Sequence, residues 1–114
     1  MFCLLIRYDF IVNRLLRVLN DAGILEDSLV ILTGDHGESF GDHGHYFHGG
    51  SLFDEQIRIP LLIRMGKNLR EAWSSKLEQV NRAEVRGLVD LAPSIADAFG
   101  IEAPKGSFDG CSLL

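Results

Sequence analysis

His36, His43, His45 and His48 are the only histidines in 114 residues, and they fall within one thirteen-residue stretch. The surrounding segment, residues 34–50, is rich in glycine and also carries Asp35, Glu38 and Asp42. Carboxylates and imidazoles together suit a divalent cation, since Asp offers hard oxygen and His a borderline nitrogen. Asp35 and His36 are adjacent and flanked by Gly34 and Gly37, which allow backbone angles that bulkier residues resist. On a turning backbone, two such neighbours can point into one site. They can equally cap and pad a loop, and spacing alone does not separate the two readings. The strict His-Glu-x-x-His spacing of a zinc protease is absent. His43 and His45, two apart, would share a face of an extended chain, although loop histidines are more often solvated or bonded to backbone than ligating.

The elements that must position these residues are legible from periodicity. Upstream, Ile11, Leu15, Val18, Leu19 and Ala22 recur at helical spacing, with Asn13, Arg14, Arg17, Asn20 and Asp21 on the wet face. The spacing predicts a helix from about Asp9 to Ala22, with Gly23 as a left-handed C-cap. Next, Ser28-Leu29-Val30-Ile31-Leu32-Thr33 reads as a short strand buried on both faces. Asp35 and His36 then lie just past the carboxyl end of a strand, where open α/β sheets bind ligands. Ile59-Pro60-Leu61-Leu62-Ile63 reads as a second such strand, with Pro60 at its start or on an edge. Residues 66–82 are polar with a weak helical pattern and read as a surface excursion. Val85-Arg86-Gly87-Leu88-Val89 is expected to form a third strand. Asp90 is expected to cap a helix running to about Phe99, with Pro93 in its first turn and Gly100 stopping it. Helix, glycine turn, strand is the rhythm of an α/β fold.

Composition narrows the rest. Apolar residues are 46% and charged residues 24%, which argues against disorder or a fibrous chain. The net charge of −5, with Lys and Arg scattered, makes nucleic acid a poor partner. Cys3 and Cys111 form neither a CxxC pair nor a disulfide framework, and read as incidental thiols. The apolar opening Met1-Phe2-Cys3-Leu4-Leu5-Ile6 is too short for a signal peptide and is soon followed by Arg7 and Asp9. No stretch approaches the roughly 20 apolar residues of a membrane helix, and nothing indicates a compartment.

The run Val30-Ile31-Leu32-Thr33-Gly34-Asp35-His36-Gly37-Glu38-Ser39-Phe40-Gly41-Asp42-His43-Gly44 strongly resembles the second metal-binding motif of the sulfatases and their phosphonate and phosphodiester hydrolase relatives. The resemblance continues through residues 51–63 and returns at Val89-Asp90-Leu91-Ala92-Pro93-Ser94-Ile95 and at Phe108-Asp109-Gly110-Cys111-Ser112-Leu113-Leu114. Four blocks in order are a specific match, covering most of the chain apart from 66–82.

The resemblance implies an α/β fold, part of an alkaline-phosphatase-like sheet sandwiched by helices, with residues 1–114 a single partial catalytic domain. It implies metal-dependent hydrolysis of sulfate esters, or of phosphonate or phosphodiester analogues, on small molecules or glycans. Asp35 and His36 match the later pair of metal ligands, calcium being the metal most expected and manganese or zinc also fitting. His48 matches a Lys or His position that contacts the ester's anionic oxygens, and so becomes the catalytic candidate. The family's nucleophile block, Cys/Ser-x-Pro-x-Arg, and its first aspartate pair have no counterpart in this sequence. The chain therefore reads as truncated at both ends and inactive alone. Two alternatives stay open: a phosphoethanolamine or glycerophosphate transferase piece of the same superfamily, and a non-catalytic binding or assembly module.

Overall fold

A computed structural model describes residues 2–78 and 85–114. The chain is α/β and divides into two compact units, Val30–Arg64 and the pairing of Met1–Leu29 with Met65–Leu114.

The unit Val30–Arg64 holds the sheets. Strand β1 (Leu29–Thr33) pairs with β4 (Leu61–Met65), and β2 (Ser39–Phe40) pairs antiparallel with β3 (Tyr46–Phe47). A single turn of helix, α2 (Asp54–Ile57), lies between β3 and β4 along the chain. Strand β1 forms where the β-branched run predicts it, and β4 starts directly after Pro60, whose missing N–H bars it from a ladder. Neither strand is buried on both faces as expected, for Leu32, Leu62 and Ile63 all stay exposed. A two-stranded sheet cannot cover its own faces, so apolar strand residues remain in contact with solvent.

In the other unit, α1 spans Phe2–Asp21, beginning earlier than the periodicity placed it. The opening apolar run has no 3.6-residue repeat to announce a helix. Its end is as read: Gly23 takes φ +71°, Gly23 N donates to Asn20 O and Ile24 N to Leu19 O. These two bonds form a Schellman motif. Helix α5 (Leu91–Ala98) closes identically, with Gly100 at φ +62°, Gly100 N on Asp97 O and Ile101 N on Ala96 O. Residues 66–77 form two short helices, α3 (Lys67–Ala72) and α4 (Ser74–Leu77), while 79–82 lie outside the described residues.

Two expectations fail here. Residues 85–89 form no strand: 85–87 are irregular and Leu88–Asp90 is a 3-10 turn. The Asp90 carboxylate accepts the Gly87 N–H at 2.9 Å, and such local bonding competes with a ladder. Nor does Asp90 cap α5 with its side chain. It occupies the N-cap position, but its oxygens accept from Gly87 N and from Cys111 N (2.9 Å), tying the C-terminal segment to the turn.

Candidate functional site

Strand β1 ends at Thr33, and the next four residues turn sharply. Asp35 Oδ1 accepts the backbone N–H of His36 at 3.0 Å, closing the turn on itself. His36 Nδ1 donates to the Gly37 carbonyl at 2.7 Å. A carbonyl only accepts, so Nδ1 carries a proton and Nε2 is the nitrogen left outward, a lone pair whenever the ring is neutral. Gly37 N donates to Gln56 O at 2.7 Å. A side chain at position 37 would run into the Glu55 carbonyl oxygen, so this crossing of two backbones requires glycine.

The β2–β3 hairpin brings His48 back. Its register pairs Ser39 with Phe47 and Phe40 with Tyr46, and past the last pair, where Phe47 turns to φ +68°, Glu38 and His48 still meet. His48 Nδ1 lies 3.3 and 3.2 Å from the two Glu38 carboxylate oxygens. The His48 ring packs on the His36 ring, centroids 4.0 Å apart and 30° from coplanar. Thus Asp35, His36 and His48 form one group, at the carboxyl end of β1.

Beneath them runs a buried polar link. Gln56, only 6% exposed, donates through Nε2 to Ser39 Oγ at 2.8 Å and accepts Gly49 N at 3.3 Å. One amide therefore bonds to the neighbour of Glu38 and to the neighbour of His48.

The other two histidines belong elsewhere. His43 stacks on Phe53 at 4.1 Å and donates from Nδ1 to Glu55 Oε1 at 3.0 Å, while His45 lies 5.6 Å from the same ring. His43 holds φ +51°, an uncommon backbone for a non-glycine residue.

Asp35 and His36 fit a cation as two ligands of a larger set. Bonding to its own backbone, and then the His36 imidazole beside it, hold the Asp35 carboxyl below its ordinary 3.8, which keeps the oxygen anionic. Its Oδ1 lies 3.8 Å from His36 Nε2, a spacing that two donors each about 2.0–2.4 Å from one cation can share. A ligating His usually gives its other N–H to a carbonyl or carboxylate, as His36 does to Gly37. Among the described residues, no group of three or more His, Cys, Asp or Glu side chains could hold a metal ion alone.

The sulfatase family model matches residues 4–101. The chain belongs to the sulfatase family. This sulfatase-family chain is similar to N-acetylglucosamine-6-O-sulfatase of Bacteroides thetaiotaomicron, 32% identical over 102 residues, which cover 90% of this chain and 17% of that protein. It is 33% identical over 106 residues to arylsulfatase K of Xenopus laevis, covering 93% of this chain and 18% of that protein. It is also 33% identical over 111 residues to the multifunctional alkaline phosphatase superfamily protein PehA of Trinickia caryophylli, covering 97% and 20%. The chain thus spans about a fifth of the length of these relatives. No solved structure matches it.

Sequence reading of this sulfatase-family site missed Glu38 and Gln56. Glu38 stood in the quoted motif, but its partner depends on the hairpin register, and two-residue strands leave no periodic signal. Gln56 lies in the second block of the resemblance, and nothing in its neighbours announces a buried amide.

Proposed function

We propose that this chain supplies the later part of the metal and anion site of a sulfatase-type ester hydrolase. Its substrates would be sulfate esters of small molecules or glycans, or phosphonate and phosphodiester analogues. The observation that carries this reading is the single cluster of Asp35, His36 and His48 past the end of β1. In it, Asp35 Oδ1 is 3.8 Å from His36 Nε2, and His48 lies against His36 at 4.0 Å. Family membership and sulfatase-named relatives support the reaction class.

Asp35 and His36 Nε2 would hold a divalent cation, calcium first among those considered, with manganese or zinc as alternatives. When bound, such a cation supplies Lewis-acid neutralisation of a tetrahedral ester's charge. His48, held opposite Glu38, would meet the ester's anionic oxygens and stabilise charge as it moves to the leaving oxygen. Catalysis by way of an ester-bound enzyme needs an activated nucleophile within reach, and no Cys/Ser-x-Pro-x-Arg block occurs among these 114 residues.

The test is titration of the purified chain with calcium or manganese, followed by NMR of the Asp35 and His36 signals. Two protein ligands leave most of the coordination to water, so binding is expected to be weak, with a Kd on the order of 10⁻⁴–10⁻³ M. Asp35→Ala should abolish it, and aryl sulfate should not turn over at any metal concentration. Metal uptake indifferent to both Asp35→Ala and His36→Ala would remove the assignment.

A further inference from the structure

We propose that Glu38 is a positioning residue for His48, fixing which ring nitrogen faces the ester; this rests on the role assigned to His48 above. Three observations converge on the pair. The hairpin register pairs Ser39 with Phe47, and Glu38 and His48 are the next residues on the two chains, left side by side where Phe47 turns out of the strand at φ +68°. Both Glu38 oxygens lie within 3.3 Å of His48 Nδ1. The buried Gln56 amide then bonds Ser39 Oγ and Gly49 N, the residues next to each partner. Register is therefore locked beside the pair itself, unlike a surface ion pair held only by two flexible side chains.

The chemical consequence follows from the inventory of the two groups. An ionised carboxylate has no proton to give, so His48 Nδ1 must carry the hydrogen in either charge state of the ring. Nε2 is then the nitrogen that varies: a lone pair in the neutral ring, a donor in the cation. A ring free to exchange tautomers would present the wrong nitrogen part of the time and could also turn about its bond to the backbone. His36 is fixed in the same sense by a different acceptor, the Gly37 carbonyl at 2.7 Å. The two rings, in contact but tilted by 30°, thus each direct Nδ1 to a protein oxygen and leave Nε2 for other work.

The experiment uses ¹⁵N chemical shifts of the histidine rings in the full chain, at a pH well above the ordinary imidazole range. In the wild type, His48 is expected as the Nδ1–H tautomer. Glu38→Ala should shift it toward the mixture of a free imidazole, whereas Glu38→Gln, which retains a carbonyl acceptor, should restore Nδ1–H. A wild-type His48 already in the mixed state, or one whose tautomer is unchanged in Glu38→Ala, would overturn the proposal. Because the wild-type measurement decides by itself, loss of folding in a variant does not protect the idea. Titration with inorganic sulfate, run below the ordinary imidazole range so that Nε2 is a donor, separates this from the functional reading. If Nδ1–H depends on Glu38 but sulfate never perturbs His48, the positioning stands and the anion role fails. If sulfate perturbs His48 equally in wild type and Glu38→Ala, with no change of tautomer, the positioning fails and the anion role stands.

Discussion

Val30–Arg64 and the rest of the described chain have interiors of opposite character. In Val30–Arg64 the buried residues are both polar, Ser39 and Gln56, and they bond each other. In the other unit the buried set is mainly apolar: Leu25, Pro93, Ala96, Ala98 and Leu113, with Gly66, and with Ser94 as a polar member. Even there, Ser94 works as a peg, donating to the Asp90 carbonyl and accepting Leu113 N at 2.9 Å. Apolar burial is tolerant of direction, whereas a hydrogen bond fixes one atom against another. The segment that carries the histidines therefore buries only hydrogen-bonded polar residues, although close backbone crossings at glycine occur in both units, at Gly37 in one and at Gly66 and Gly110 in the other.

That contrast can be broken most directly at Gly37. A Cβ there would collide with the Glu55 carbonyl, and Gly37→Ala is expected to cost about 3 kcal/mol, as overpacking against unyielding backbone does. Hydrogen exchange should show lost protection at Gly37 N and Gly49 N while amides of α5 keep theirs. Equal loss in both units would mean that the two interiors are not separately held.

A smaller effect should follow from removing the two polar pegs. Gln56→Ala takes away one donor and one acceptor and should destabilise Val30–Arg64 by about 2–3 kcal/mol. Ser94→Ala leaves Leu113 N without its acceptor, and about 1–2 kcal/mol is expected in the other unit. Urea unfolding with exchange read at single residues separates the two. If Ser94→Ala proved the more damaging, the apolar unit would be the more dependent on directional bonding, reversing the comparison.

The smallest effect is acid sensitivity. Glu55 is held below its ordinary 4.5, chiefly by the His43 hydrogen bond. Asp90 is held below 3.8 by the backbone N–H of Gly87 and then that of Cys111. A carboxyl depressed in the folded state binds protons more tightly when unfolded. Each therefore contributes stability that is complete above its unfolded value and lost as pH falls through the folded one. His43→Ala should flatten the acid limb for amides of Val30–Arg64 only. Asp90→Asn, neutral and equal in shape, should do so for the other unit only. Identical acid limbs in wild type and His43→Ala would mean that Glu55 contributes nothing through His43.

How much of this was legible varies with range along the chain. Strand β1, the glycine stops at 23 and 100 and the Asp35-His36 turn are local events, and their residues announce them. The hairpin strands are only two residues long, too short for alternation to register, and the Glu38–His48 and Gln56–Ser39 bonds join residues ten and seventeen positions apart. Val85 and Val89 suggested a strand by type, but Val85 is 95% exposed and has no apolar face to bury. There the Asp90 carboxylate decided, taking the Gly87 N–H into a turn. Asp35, His36 and His48 are legible in the sequence, as is the expectation that His48 returns to within several ångströms of the pair, which the 4.0 Å ring separation meets; the Glu38 carboxylate behind it comes from the fold.

The hairpin loop, residues 41–45, carries a constraint on evolution and on engineering that no side chain in it reveals. Its chain reversal is closed by Gly41 N on His45 O at 2.9 Å, and the pleat beyond it has a period of two. Inserting or deleting one residue between Phe40 and Tyr46 would slip the pairing, setting Phe47 or Gly49 opposite Glu38 in place of His48. Substitutions at Asp42, His43 and His45 leave the length of the loop and so that pairing alone, whereas Gly41 (φ +108°) and Gly44 (φ +75°) hold backbone that favours glycine, and a single-codon change in length shifts which residue faces the carboxylate. Among relatives that keep a histidine at this position, loop length should thus vary less freely than loop sequence, and a library built on this hairpin should keep Gly41 and Gly44 and randomise the other loop residues without changing their number.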